Sequence, residues 1–231
     1  MAEQLAQWRR KSAEAAGWLG LHPLTCLTLI LLAQVLPSLF TKDVWLPDEV
    51  RHAAVFQNLW QGGHWLVLHL GDAAYADKPP VYFWLVAAIV AMAGSTAPFV
   101  FMAAAAVSAW ALLVALVQAG WRMGLGPRVV LLAGLILLTC WFFIERAHQP
   151  RMVLLFTTFI LLAQTALYHA TLGGTRLRRG PMAVAGLAMA LAALTKGPLG
   201  VALHFGPERC SCCGKGGGDC WSASKRGYAL R

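Results

Sequence analysis

One interval of this sequence is long, apolar and free of charge, and it restricts the folds open to the chain. No charged side chain occurs between Lys78 and Arg122. Soluble domains carry charge on about 25% of their residues, whereas this chain carries it on 13% and is 58% hydrophobic. The sequence therefore predicts a membrane protein.

The apolar runs predict an all-α fold, a polytopic transmembrane helical bundle with about five spans and one shorter segment. At ~1.5 Å per residue, a helix of about 20 residues crosses a hydrocarbon core of ~30 Å. The five predicted spans are Trp18–Phe40, Phe99–Trp121, Val129–Ile144, Met152–Thr171 and Met182–Leu203. The run Val81–Ala93 is too short to cross and is set off by the turn 94–98.

Basic residues between the runs predict the orientation of the chain. They form three clusters, namely Arg9/Arg10/Lys11, Arg122/Arg128 and Arg176/Arg178/Arg179. Because such clusters stay on the cytoplasmic side, the loop 41–80 is predicted to be periplasmic, and Val81–Ala93 to be re-entrant or to lie at the outer interface. The formal net charge of +9 is dispersed between apolar runs, so the expected partners are membrane lipids, and nucleic acid is not expected.

The domain organisation follows from the same pattern. We predict a cytoplasmic N-terminus over residues 1–17, a membrane domain over 18–203, and an aberrant tail over 204–231 that is disordered and does not pack. The tail holds four cysteines without paired CxxC spacing, namely Cys210, Cys212, Cys213 and Cys220, so no zinc site is expected there. His64 and His69 also lack metal-ligand spacing, and neither a metal nor a cofactor is predicted.

The polar stretch 46–85 is the candidate site. Pro47 and Asp48 are typical of the first turn of a helix. In a helix over residues 48–60, Asp48, Arg51 and His52 share one face, and the other face is predicted to carry the set Val50, Ala53, Ala54 and Trp60. The alternative is structural: Asp48 caps the helix and Arg51 pairs with it.

Two lysines are further candidates. Tyr75 and Lys78 precede Pro79-Pro80, which fix an extended backbone at the membrane boundary, and an aromatic hydroxyl beside a lysine suits an anionic phosphate. Lys196 interrupts an apolar run, where charge is costly and usually functional. The alternative for both lysines is snorkelling to the interface.

The predicted topology brings these groups to one side of the membrane. Lys196 lies about 22 Å along its helix from Pro181, at ~1.5 Å per residue. It is therefore expected near the outer face, together with Glu145/Arg146 and Arg151.

These motifs together resemble the membrane glycosyltransferases of the GT-C type, in particular the lipid A aminoarabinose transferases and the bacterial relatives of protein O-mannosyltransferases. The resemblance covers residues 20–203 and rests on Asp48-Glu49-x-Arg51, Tyr75-x-x-Lys78-Pro79-Pro80 and Thr195-Lys196-Gly197-Pro198. It implies transfer of a sugar from an undecaprenyl-phosphate-linked donor to a lipid or protein acceptor, at the periplasmic face of the bacterial inner membrane.

The resemblance also implies roles for individual residues. Asp48 and Glu49 would form the catalytic acidic pair, with Asp48 as general base on an acceptor hydroxyl or as the group that orients the acceptor. Arg51, Tyr75, Lys78 and Lys196 would bind the donor phosphate.

The chain departs from the family pattern at one position in the membrane domain. Where the family often carries Arg-x-x-x-x-Asp-Met, this chain has Arg146 followed by Arg151-Met152, so a base replaces an acid. Two alternative functions stay open at this point: an inactive fragment of such a transferase, and a fragment of a transporter in which Asp48, Glu49 and Lys196 line a substrate pathway.

Overall fold

The computed structural model describes residues 22–44, 46–171, 178–199 and 202. Within them the chain is about 76% helical, which confirms the predicted all-α class. The elements are α1 (Pro23–Thr41), α2 (Pro47–Gly62), β1 (His69–Leu70), β2 (Ala73–Ala74), α3 (Val81–Ala93), α4 (Phe99–Arg122), α5 (Pro127–Thr139), α6 (Trp141–Ala147), α7 (Val153–Thr171) and α8 (Arg179–Lys196). The strands β1 and β2 form an antiparallel pair in which His69 is opposite Ala74.

Three of the described helices are long and apolar enough to cross a membrane, namely α1, α4 and α7. A fourth crossing results if α5 and α6 are counted as one bent span. This is fewer than the five spans predicted. The short run Val81–Ala93 forms the separate helix α3, as its length predicted.

The predicted span Val129–Ile144 is wrong as a continuous helix. It is divided into α5 and α6, which meet at an angle of 70°. Cys140 adopts an extended backbone (φ −66°, ψ 121°) between them, and the Thr139 hydroxyl donates back to the carbonyls of Leu135 and Ile136. Such back-bonding bends helices, and the bend turns Phe143 and Ala147 of α6 into the core.

The fifth predicted span, Met182–Leu203, is described only in part, because residues 200, 201 and 203 lie outside the described residues. The helix α8 ends at Lys196, where Gly197 takes a positive φ of 81° before Pro198. Since proline cannot continue the helical hydrogen bonding, Lys196 lies at a helix end, not inside a span.

Two apolar clusters hold the helices together. One joins α1, α4, α5 and α6 around Leu27, Leu113 and Phe143. The other joins α2, α3 and α4 around Phe56, Phe83 and Phe101. The helix α7 packs along both α4 and α8, so α8 is held beside the polar stretch by its neighbour.

The helices α2 and α3 run side by side in the same direction. Near their beginnings, the ring of His52 lies 6.3 Å from that of Tyr82 and 5.9 Å from that of Phe83. Near their ends, Trp60 shares a cavity with Val90 and Ala91. The short helix α3 therefore approaches α2 near both of its ends.

The helix α2 has one buried face. It is formed by Glu49, His52, Val55, Phe56 and Leu59, while Val50 and Trp60 are exposed. Several predictions fall outside the described residues: the cytoplasmic segment 1–17 with its basic cluster, Arg176, and the tail 204–231 with its cysteines.

We expect Gly134→Ala to destabilise the bundle. A Cβ atom at Gly134 of α5 would overlap the Leu27 side chain of α1, and overpacking of this kind costs about 1–3 kcal/mol. Thermal unfolding in detergent should show a lower Tm. The matched control is Gly186→Ala on α8, where a Cβ meets nothing within 4 Å and the Tm should stay equal or rise. Equal Tm changes for the two variants would contradict the packing described here.

Candidate functional site

A cavity of about 190 Å³ lies where the start of α2, the segment 75–78, the start of α7 and the end of α8 meet. Its walls combine charged and aromatic groups. They are Asp48, Arg51, His52, Tyr75, Asp77, Lys78, Arg151, Met152, Val153 and Lys196. Residues more than 140 positions apart in the sequence are thus brought together by the packing of α7 and α8.

Positive charge predominates in this cavity. Its four cationic side chains are Arg51, Lys78, Arg151 and Lys196, and its two acidic ones are Asp48 and Asp77. Within the described residues, the side chains of Arg51 and Lys78 make no ion pair or hydrogen bond. Because these two cations have no ionic or hydrogen-bonding partner among the described residues, the concave site is suited to an anion such as a phosphate.

An ion pair crosses the cavity between Asp48 and Arg151. Nη2 of Arg151 lies 3.4 Å from Oδ2 of Asp48. The side chains are 51% exposed for Asp48 and 31% exposed for Arg151, so the pair is open to solvent and contributes little stability. Asp48 thus pairs with Arg151 of a distant segment, and not with Arg51 as the structural alternative predicted.

Glu49 occupies a different environment from Asp48. Its side chain is fully buried and accepts a hydrogen bond from the backbone N–H of Leu46 at 3.4 Å, as the third residue of a capped helix does. Its Oε1 lies 3.6 Å from Nζ of Lys42, and Lys42 also donates to the backbone carbonyl of His148. Glu49 therefore caps α2 and connects it to the segment after α6, and it does not line the cavity.

His52 provides a second connection between α2 and that segment. It is buried, and its Nδ1 lies 3.3 Å from the Pro150 carbonyl, which as an acceptor requires Nδ1 to carry the proton. Burial lowers the pKa of His52 below its usual value; Lys78 and Arg151 lower it too, while the Pro150 hydrogen bond and Asp48 oppose the shift. The ring is therefore neutral at pH 7, and it anchors Pro150 next to Arg151.

Lys196 reaches the cavity from the end of α8. Its Nζ lies 5.6 Å from the centre of the Phe156 ring on α7, a distance at which a cation is attracted to the aromatic face. This contact holds the ammonium group of Lys196 beside α7, at the edge of the cavity.

Five residues predicted to form the site line the cavity: Asp48, Arg51, Tyr75, Lys78 and Lys196. Arg151 lies there as well, as its predicted convergence with Lys196 required. Glu145 and Arg146 do not line it; they pair with each other at 3.6 Å and bind Gln149.

Sequence reasoning missed the contributions of His52 and Asp77. The signal for His52 was present, since it shares a helix face with Asp48. Asp77 is next to Lys78 in the motif. The described residues contain no group of three His, Cys, Asp or Glu side chains that could hold a metal ion.

The fold defines the class of protein. The chain superposes on the crystal structure of ArnT from Cupriavidus metallidurans bound to undecaprenyl phosphate, with a TM-score of 0.70 and 24% sequence identity over 82% of this chain and 34% of that chain. The apo structure of the same protein gives 0.71 over 83% of this chain and 35% of that chain. The chain thus has the membrane GT-C fold, as the motifs predicted.

Sequence comparison identifies the relatives within that class. The chain is homologous to enzymes named undecaprenyl phosphate-alpha-4-amino-4-deoxy-L-arabinose arabinosyl transferase. It is 30% identical to that of Pseudomonas savastanoi pv. phaseolicola over 77% of this chain and 33% of the relative. It is 32% identical to that of Pectobacterium carotovorum over 81% of this chain and 34% of the relative. The chain thus spans about a third of the length of these relatives, and it matches no protein-family model.

We expect Glu49 and Asp48 to differ in their effect on stability. Glu49→Gln removes the charge that faces Lys42 in a buried position, which should cost about 1–3 kcal/mol. The matched change Asp48→Asn removes a half-exposed partner and should cost less than about 1 kcal/mol. Thermal unfolding of the two purified variants measures this. A larger loss for Asp48→Asn would contradict the structural role of Glu49.

We expect His52 to make stability depend on pH. Since its folded-state pKa is lowered from 6.5, the unfolded state takes up a proton more readily, and stability is lost as pH falls below about 6.5. Wild-type protein should therefore lose more Tm between pH 7.5 and 5.5 than His52→Gln. Identical losses would show that His52 does not titrate in this way.

Proposed function

We propose that this chain forms the donor-binding part of a membrane glycosyltransferase. The reaction is transfer of 4-amino-4-deoxy-L-arabinose from undecaprenyl phosphate to a lipid A-like acceptor, at the periplasmic face of the bacterial inner membrane. The observation that carries the proposal is the cationic cavity that also contains Asp48. The names of the homologous enzymes supply the donor and the sugar.

The donor phosphate binds among the cations. Arg51 and Lys78 have no competing partner within the described residues, and Nε of Arg151 is buried without a hydrogen bond there. Tyr75 adds a hydroxyl beside them. In the transfer step the acceptor oxygen bonds to the anomeric carbon, the bond from that carbon to the phosphate oxygen breaks, and undecaprenyl phosphate leaves with the electron pair. Cations placed in advance stabilise this leaving group.

Asp48 acts on the acceptor that attacks the sugar. One of its oxygens, Oδ2, faces Arg151, and the other makes no hydrogen bond within the described residues. The free oxygen accepts the proton of an attacking hydroxyl or orients a charged acceptor group. Glu49 acts through position, because it holds the first turn of α2 that presents Asp48.

The periplasmic orientation rests on charge and packing. Arg122 and Arg128 flank the turn between α4 and α5, where basic residues favour the cytoplasmic side. The parallel packing of α3 along α2 suits an interfacial helix pair at the opposite surface. The transporter alternative has less support, because Asp48, Arg151 and Lys196 lie at helix ends, whereas transport sites lie near the midplane.

Replacement of Asp48 tests the reaction. In a bacterium without its own aminoarabinose transferase, mass spectrometry of lipid A measures the transfer that this chain performs. We expect Asp48→Asn to reduce transfer by about 10²–10⁴-fold without weakening undecaprenyl phosphate binding in nanodiscs, because the variant frees Arg151 for the phosphate. Unchanged transfer in Asp48→Asn would remove this residue from catalysis.

Replacement of Lys78 tests the donor site. Lys78→Gln should weaken binding of undecaprenyl phosphate in nanodiscs by about 10- to 100-fold, since charge-assisted hydrogen bonds contribute about 1.5–3 kcal/mol. Arg128→Gln, outside the cavity, is the control. If the wild-type chain binds undecaprenyl phosphate but transfers no sugar, the proposed activity is contradicted. That result would support the alternative of an inactive fragment of such an enzyme.

Cysteine labelling tests the orientation. In right-side-out vesicles, Ser95→Cys in the turn between α3 and α4 should react with an impermeant maleimide, and Arg128→Cys should react only after lysis. The unmodified chain supplies the background of its native cysteines. Protection of position 95 would mean that α3 crosses the membrane.

A further inference from the structure

A second pair of cavities lies on the other half of α2, away from the cationic site. They have volumes of about 190 and 540 Å³ and share Trp60 and Thr96. Both lie between the last turns of α2 and the turn that joins α3 to α4. We refer to them together as the Trp60 groove, whose lining residues used below are Phe56, Gln57, Trp60, Gln61 and Thr96.

Aromatic rings form a supported wall of this groove. The indole of Trp60 is 37% exposed and stacks on Phe56 at 6.0 Å with an interplanar angle of 23°. Phe56 is itself held edge-on by Phe101 at 5.6 Å, and Trp65 contacts Trp60 at 6.1 Å. The exposed ring is therefore fixed in place before any ligand arrives.

Neutral polar groups surround the indole. Gln57, Gln61 and Thr96 are exposed, and their side chains make no hydrogen bond within the described residues. No acidic or basic side chain lines either cavity. An amide supplies two donors and an acceptor, and a hydroxyl supplies one donor, so the groove offers hydrogen bonds without charge.

We propose that the Trp60 groove binds a neutral sugar ring of the glycolipid acceptor. A pyranose has one face of C–H groups, which packs on an indole, and a rim of hydroxyls, which bonds to amides and hydroxyls. An anion would find no cation in the groove, and a purely apolar chain would leave the amides unused.

The position of the groove fits this role, which rests on the proposed transferase function. Trp60 follows Asp48 by twelve residues of α2, which is about 18 Å along the helix axis and about a third of a turn around it. A glycolipid with several sugar units, held by one of them at Trp60, is long enough to span this separation and to present another group to Asp48. The cationic cavity takes the donor, and the groove positions the acceptor.

Binding of a neutral sugar probe tests the groove without any need for turnover. The probe is a β-linked N-acetylglucosamine disaccharide, followed by saturation-transfer difference NMR on the full chain in nanodiscs, because maltoside detergents are themselves sugars. We expect Trp60→Ala to weaken binding about tenfold, Trp60→Phe to weaken it less, and Gln57→Ala to weaken it measurably. The matched control is Trp121→Ala, an exposed tryptophan outside both cavities.

Kinetics with the lipid acceptor give the second measurement. Trp60→Ala should raise the acceptor KM and leave the donor KM within error of wild type. If the wild-type chain does not bind the probe, or if Trp60→Ala and Trp121→Ala bind it equally, the Trp60 groove is not a sugar site. This conclusion holds even if transfer persists. If probe binding depends on Trp60 but the chain transfers no sugar, the sugar site in the groove is supported and the proposed transferase activity is wrong.

Discussion

The site depends on how the first turn of α2 is fastened to the segment that precedes α7. Buried Glu49 is the main anchor, because it faces Lys42, and Lys42 donates to the His148 carbonyl. His52 adds a bond to Pro150 two residues later. With 148 and 150 fixed in this way, Arg151 is placed opposite Asp48. A buried carboxylate and a neutral histidine thus hold the geometry, which leaves the exposed charges available for ligands.

The charge at position 151 changes what the cavity can do. Where the motif resemblance implies an aspartate, this chain carries an arginine that pairs with the proposed catalytic carboxylate. The exchange raises the positive charge of the cavity, which favours a phosphate, and at the same time occupies one oxygen of Asp48. A bound phosphate competes with Asp48 for Arg151, so donor binding and release of the carboxylate are coupled in this arrangement.

Much of this site could be predicted from the sequence, because charge is costly in an apolar chain and its positions are few. Asp48, Arg51, Tyr75, Lys78 and Lys196 were each identified from local context, and α7 and α8 bring them together. The inward position of Glu49 was not predictable, since neighbouring acids on a helix differ only in which face packs, and that depends on α3. The bend at Cys140 was also hidden, because the run 129–144 carries no charge and no proline or glycine at the break, and a threonine such as Thr139 is common inside straight helices.

If the cationic cavity holds the phosphate of a polyprenyl lipid, as we propose, photocrosslinking will locate the phosphate there. Undecaprenyl phosphate with a photoreactive group beside the phosphate is bound to the full chain in nanodiscs, irradiated, and mapped by mass spectrometry of peptides. We expect labelling in the peptide segments that contain Tyr75, Asp77 and Lys78 and that contain Met152 and Val153, which line the cavity, and loss of this labelling in Lys78→Gln. Labelling confined to other helices, or unchanged in Lys78→Gln, would contradict the proposal.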